Sequence, residues 1–246
     1  MRPRVGPDYL VSGVQERLRW WAHRGLHAAL FALPSLPELH STLQKAVAFI
    51  RTFQYLRRAH VEGDYLEFGV YKGQGFTVAL DAASKAFGRP GSTMRFFAFD
   101  SFAGLPAPDQ ARDGTVFSSG DYAASETVFW RNIRSARRGR QVIVVPGFFD
   151  QSLTPAVREA HALRAAAFVN IDCDIYPSAK AALRFVTPIV QTGTVLYFDD
   201  WYFSGGNMRL GEPLACTEWL ADNPDLSLVD FGEVGTMGKL FLVNRT

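Results

Sequence analysis

From residue 64 onward, short apolar runs alternate with stretches whose apolar positions recur every three or four residues. That alternation predicts a parallel sheet wrapped by helices, because a strand buried on both faces reads as a continuous apolar run while a covering helix is apolar along one stripe only. Five runs predict strands: Asp64 to Val70, Met94 to Asp100, Gln141 to Pro146, Ala167 to Asp172 and Gly193 to Asp199. Helices are expected near 75–87, 123–138, 152–164 and 177–190, with Pro155 and Pro177 at first-turn positions, where a missing N–H costs nothing. The end of the chain differs. Leu226 to Phe231 and Lys239 to Val243, joined by the glycine-containing EVGTMG, predict an antiparallel hairpin closing the sheet.

The first 60 residues read as an N-terminal helical extension to a domain spanning 61–246. Pro34 and Pro37 divide them into two helical stretches, 10–32 and 38–59. The second carries Leu39, Leu43, Val47, Ile50, Phe53 and Leu56 at helical spacing, and both stretches are expected to cover the edge of the main core. Trp20, Trp21, Leu26, Leu30 and Phe31 beside Arg17, Arg19 and Arg24 also suit a membrane surface or a homodimer contact. Nine Lys and Arg against three Asp and Glu give this quarter a charge of +6, leaving the rest at −4.

Composition narrows the classes. With 48% hydrophobic and 20% charged residues the chain resembles an ordinary globular protein, and a net charge of +2 offers no general field for nucleic acid. Cys173 and Cys216 are too few for a disulfide framework and are not spaced for zinc, which suits a reducing, cytoplasmic setting. No apolar stretch is long enough to span a membrane, and MRPRVGPDYL leads into charged sequence instead of a secretory apolar run.

The first strand ends at Glu67 and runs through Gly69, Val70, Tyr71, Gly73 and Gly75 into a helix, a turn that lets backbone amides approach a ligand. The spacing is neither that of a dinucleotide fingerprint nor that of a phosphate loop. An acidic strand end suits a cationic ligand, and Glu67 can balance the ammonium or sulfonium of S-adenosylmethionine. Asp100, about thirty residues on, stands where a carboxylate accepts from ribose hydroxyls. Gly147 and Phe148, after the third strand, can border an adenine.

The densest chemistry lies at the fourth and fifth strands. Asp172 and Asp174 end one, Asp199 and Asp200 the next, and adjacent parallel strands bring such ends together. Desolvated carboxylates that close repel one another unless a cation neutralises them, which points to a hard divalent metal, magnesium, or else to pairing with Arg184, Lys180 or helix amides. A metal beside a methyl sulfonium suggests transfer to a hydroxyl, with Asp172 or Asp174 taking the proton. The loop from Ala103 to Ser125 is long enough to form a lid through Phe117 and Tyr122. Trp201 and Tyr202, then Asn207, Arg209 and Glu212, follow the paired acids as candidate acceptor contacts.

The motifs GDYLEFGVYKGQG, FAFDSFAGLP, FSSGDYAASETVFWRNI, VVPGFFDQSL, IDCDIYPSAKAAL and VLYFDDW, in this order, resemble the macrocin O-methyltransferase family over roughly residues 61–220. The resemblance implies a Rossmann-like class I methyltransferase, with a seven-stranded, mostly parallel sheet, acting on sugar hydroxyls of bacterial metabolites. It implies cofactor contacts at Glu67, Gly69, Gly73, Asp100 and Ser101, magnesium ligation by Asp172, Asp199 and Asp200, and Asp172 as general base. Pro177 stands where the family usually has an acid. Two other readings remain: a non-catalytic scaffold of the same fold, and a nicotinamide-dependent oxidoreductase, which has the wrong glycine spacing and lacks a Tyr-x-x-x-Lys pair.

Overall fold

A computed structural model of the chain describes Trp21 and residues 37–88 and 93–246. The helix expected over 10–32, and with it the proposed membrane or dimer contact, lies outside the described residues apart from Trp21. Residues from Thr42 to Thr246 form one compact unit.

Seven strands make a single sheet in the order β3-β2-β1-β4-β5-β7-β6. They are β1 (Asp64–Phe68), β2 (Phe96–Asp100), β3 (Val142–Pro146), β4 (Ala166–Ile171), β5 (Val195–Phe198), β6 (Leu226–Val234) and β7 (Gly238–Arg245). The first five are mutually parallel; β7 runs antiparallel to β5 and β6 antiparallel to β7. All five sequence-predicted parallel strands and the closing hairpin are present. Every residue of β1 and β4 is buried, which is why those segments read as unbroken runs.

The two faces follow the alternation of side chains along a strand. Leu66, Phe97, Val169 and Leu196 share one register row and pack under α7 (Tyr176–Val186) and α8 (Gly211–Asp222). Tyr65, Phe96, Phe168 and Val195 form a row on the other face, under α1 (Pro37–Arg58), α2 (Gln74–Phe87) and α4 (Glu126–Arg137). Phe49 on α1 meets Phe168 and Tyr197 edge-on at 5.0 and 5.4 Å, so this helix is part of the core.

The buried stripe of α1 is the expected one at Phe53 and Leu56 but not at Leu43 and Val47. Ala48, Phe49, Phe53 and Leu56 are buried, whereas Leu43 and Val47 are exposed. The inward face therefore follows positions 45, 49, 52, 53 and 56, and it begins with a lysine. α8 had no counterpart among the expected helices, because the polar positions in GEPLACTEWLAD obscure the period of the buried Ala215, Cys216 and Trp219. The expected 152–164 helix is instead two short pieces, α5 (Phe149–Ser152) and α6 (Pro155–Ala160), split where Thr154 caps the second. The long loop after β2 is ordered around a short helix, α3 (Gln110–Asp113).

Candidate active site

Strand order reverses between β1 and β4, the position at which parallel sheets open a crevice beyond their carboxyl ends. A cavity of about 310 Å³ occupies it, and Glu67, Gly69, Val70, Tyr71, Asp100, Ser101, Tyr122, Phe148, Asp172, Asp174, Asp199 and Asp200 all line it. Gly73 is not in the wall. It forms the left-handed entry to α2, with φ 85°, where a side chain would strike Phe129 and Ile133. Gly147 also lies behind the wall, its N–H donating to the carbonyl of Asp100 at 2.9 Å.

Asp100 stitches the first turn together. One carboxylate oxygen accepts from the N–H groups of Val70 and Tyr71 at 2.8 and 2.9 Å, and the other from Phe102 at 2.7 Å. A carboxylate offers about four acceptor directions, so these three bonds leave space for one further donor, not two. Ser101 likewise serves the turn, donating to the Gly104 carbonyl and accepting from the Ala103 N–H.

Two tyrosine–carboxylate pairs repeat two residues apart on neighbouring strand ends. Tyr65 donates to Glu67 on β1, and Tyr197 donates to Asp199 after β5. Asn170 of β4, between them, donates to the Tyr65 oxygen at 3.3 Å. Burial raises the Glu67 carboxyl to about 7, against the pull of Tyr65 and of the Lys45 charge. Lys45 is the residue that sequence reasoning missed. Its ammonium lies 3.1 Å from Asp172 Oδ2 and 3.0 Å from Asp199 Oδ2. Burial disfavours that ammonium, but the charges of Asp172 and Asp199 outweigh it and hold its pKa above the usual lysine value. The signal was present in the sequence: Lys45 falls four residues before Phe49 and eight before Phe53, on the buried stripe.

The other two acids face each other. Asp174, on a left-handed backbone with φ 64°, shares a hydrogen bond with Asp200. Burial and the nearby Asp199 charge raise Asp174 to about 6; burial and neighbouring carboxylates push Asp172 and Asp200 well above the ordinary range. The alternatives weighed for these acids, Arg184, Lys180 and helix amides, are not their partners; Lys180 pairs with Glu218 at 2.5 Å.

Glu212, a candidate acceptor contact, is instead buried beneath the site, where one of its oxygens accepts the Asp200 main-chain N–H at 3.0 Å and the other has no partner among the described residues. Trp201 and Tyr202 do not line the cavity. The chain turns sharply after Asp200, which sends the Trp201 ring into the core against Phe198 and Phe241 and brings the Tyr202 hydroxyl to Glu233 and Lys239 on the hairpin. The loop after β2 is anchored at Asp113, which accepts the Tyr176 N–H at the start of α7. From there Phe117 stacks on Phe203 at 5.0 Å, and Tyr122 meets Tyr71 edge-on at 5.7 Å.

Among the described residues, no three side chains are set at the spacing of a metal centre. The donors nevertheless suit a hard cation. The four aspartates at the ends of β4 and β5 line one cavity, three of them with raised pKa values, and among the described residues the Lys45 ammonium reaches two of the four.

The sequence model describing the TylF macrocin O-methyltransferases matches residues 42–212, well over half the chain. The chain belongs to the macrocin O-methyltransferase family. As a member it is an S-adenosylmethionine-dependent O-methyltransferase. Solved structures share the fold at low identity. The O-methyltransferase NovP is 22% identical with a TM-score of 0.62, over 82% of this chain and 80% of its own. CalS11, a calicheamicin methyltransferase, is 17% identical with a TM-score of 0.65, over 98% and 94%. An O-methyltransferase from Bacillus cereus, solved with S-adenosylhomocysteine, is 16% identical with a TM-score of 0.52, over 89% and 94%. No curated protein matches the chain. The family match begins at Thr42, so Lys45 and the rest of α1 from that point fall within it. No described helix of this macrocin O-methyltransferase family member is long and apolar enough to cross a membrane.

Proposed function

We propose that this methyltransferase acts with magnesium on a hydroxyl of a sugar-like group carried by a small bacterial metabolite, in the cytoplasm. The observation that carries this reading is the convergence of Asp172, Asp174, Asp199 and Asp200 beside the glycine turn of β1, in one cavity. A fold neighbour accords with it: CalS11 is a TDP-rhamnose 3'-O-methyltransferase of calicheamicin biosynthesis. In this reading residues 61–246 hold cofactor and acceptor, while the extension 1–60 contributes Lys45 and, through its first helix, a homodimer contact.

The cofactor would lie along the β1 turn. Glu67 faces its cationic end, Gly69, Val70 and Tyr71 offer backbone, Asp100 takes one ribose hydroxyl, and Ser101, Gly147 and Phe148 shape the far side. Asp172, Asp199 and Asp200 would hold the magnesium, which when bound lowers the pKa of an acceptor hydroxyl and orients its lone pair. The chain's own residues do the rest. The acceptor hydroxyl oxygen attacks the methyl carbon, the carbon–sulfur bond breaks with its electrons going to sulfur, and the hydroxyl proton passes to a carboxylate. Asp172 and Asp174 are the candidates for that base. Tyr122, in the cavity wall, borders the acceptor side, where an apolar sugar face can pack on its ring.

Incubation with S-adenosylmethionine, magnesium and a panel of glycosylated acceptors and their aglycones, read by mass spectrometry, tests the proposal. A methyl group on the sugar part supports it. Methylation of aglycones only overturns the acceptor class, and stabilisation by NAD but not by S-adenosylhomocysteine overturns the cofactor.

A further inference from the structure

α1 delivers one cation into the carboxylate cluster, and where it sits matters more than its charge. The Lys45 ammonium bridges Asp172 Oδ2 and Asp199 Oδ2 at 3.1 and 3.0 Å, its side chain only 14% exposed and lying 5.6 Å from the Tyr197 ring centroid. Magnesium binds carboxylate oxygens at about 2.0–2.1 Å and tolerates little distortion of its octahedron. Any point that close to both oxygens lies within a few ångströms of the ammonium, where like charges repel strongly even in a moderately polar site. The ammonium and a divalent ion therefore cannot both occupy the space between Asp172 and Asp199.

We infer that Lys45 is a resident counter-ion that holds the place of the metal between Asp172 and Asp199, so that metal loading requires its withdrawal and α1 sets the metal affinity of the site. The inference rests on the magnesium reading above. The lysine stem has four flexible carbons, so withdrawal needs no movement of α1, whose Phe49 and Phe53 remain locked in the core. Without metal, the ammonium keeps two inward-facing carboxylates from facing each other uncompensated. With metal, the same carboxylates exchange one cation for another. Such an exchange makes binding weaker than the donor set alone would give.

Direct Mn²⁺ binding, followed by the loss of the free-ion electron paramagnetic resonance signal, tests this on wild type, Lys45→Met and Lys45→Arg. Each protein is first shown by calorimetry to bind S-adenosylhomocysteine, which reports an intact fold. Lys45→Met is expected to bind Mn²⁺ at least about tenfold more tightly than wild type, since the repelling charge is gone. Lys45→Arg keeps a cation there and is expected to stay weak. In chelator Lys45→Met is expected to melt below wild type, and Mn²⁺ is expected to raise its melting temperature more, because binding to the folded state alone stabilises it. Equal or weaker Mn²⁺ affinity in Lys45→Met overturns the inference and leaves the magnesium reading standing. Absence of Mn²⁺ binding in all three proteins overturns both. If Lys45→Met does not fold, Lys45→Gln replaces it with the same expected and contrary outcomes.

Discussion

A β-carbon placed on Gly69 would lie 1.8 Å from the carbonyl oxygen of Asp172. The turn leaving β1 is thereby pressed against the end of β4, which brings the proposed cofactor loop and the carboxylate cluster into one cavity. Gly69 also holds a left-handed backbone, φ 86°, which a side chain disfavours. Gly69→Ala is expected to separate the two strand ends and to cost about 2–4 kcal/mol in denaturant unfolding, with lost affinity for S-adenosylhomocysteine. Unchanged values in both measurements would show that the turn tolerates the clash.

Phe49 ties α1 to the sheet through Phe168 and Tyr197 and is completely buried. Phe49→Ala is expected to cost about 3–5 kcal/mol by removing a large core side chain and leaving a cavity. Because Lys45 lies one turn earlier, the same variant should also loosen the ammonium that holds the metal's place and so raise Mn²⁺ affinity. Mn²⁺ binding measured well below the variant's melting temperature checks this.

The parallel strands were legible because burial on both faces leaves few polar positions to blur them, and the four aspartates were legible because they fall where the apolar runs of β4 and β5 stop. What was not legible depended on helix phase. Leu43 and Val47 look like core in the sequence, but Phe49 and Phe53 decide the rotation of α1, and that rotation turns Lys45 inward. Trp201 was misplaced because the turn after Asp200 carries its ring into the core, and Glu212 because it sits on α8, a helix whose period the apolar pattern hides. Asp100 lines the cavity, but its three backbone donors come from a turn whose fold no local pattern specifies.

Glu67 gives the apoprotein a pH dependence of defined sign. Burial raises its folded pKa from 4.5 to about 7, so the folded state holds a proton that the unfolded chain releases in this window. Its contribution is fully present below pH 4.5 and is lost as pH rises through about 7. Glu67→Gln cannot ionise and is expected to remove a decline of about 3 kcal/mol between those limits, while weakening cofactor binding. Parallel pH–stability curves for the two proteins would contradict this assignment.

Glu212 supports Asp200 by accepting its main-chain N–H, and burial pushes its carboxyl toward the protonated form. Glu212→Gln keeps an acceptor oxygen and is expected to retain stability and turnover. Glu212→Ala leaves a donor unsatisfied and should cost about 1–3 kcal/mol, with reduced kcat and a smaller change in KM. Equal behaviour of the two variants would mean that the bond does not position Asp200.

The central claim is that the aspartates at the ends of β4 and β5 hold a divalent cation for transfer to a hydroxyl. Its most direct test is turnover of chelator-treated enzyme, titrated with magnesium, in wild type and in Asp199→Asn and Asp200→Asn. The account predicts a fall of at least about tenfold on chelation. Magnesium should restore wild-type turnover but not that of the two variants, while all three proteins still bind S-adenosylhomocysteine. Turnover indifferent to chelation and to both substitutions would contradict it.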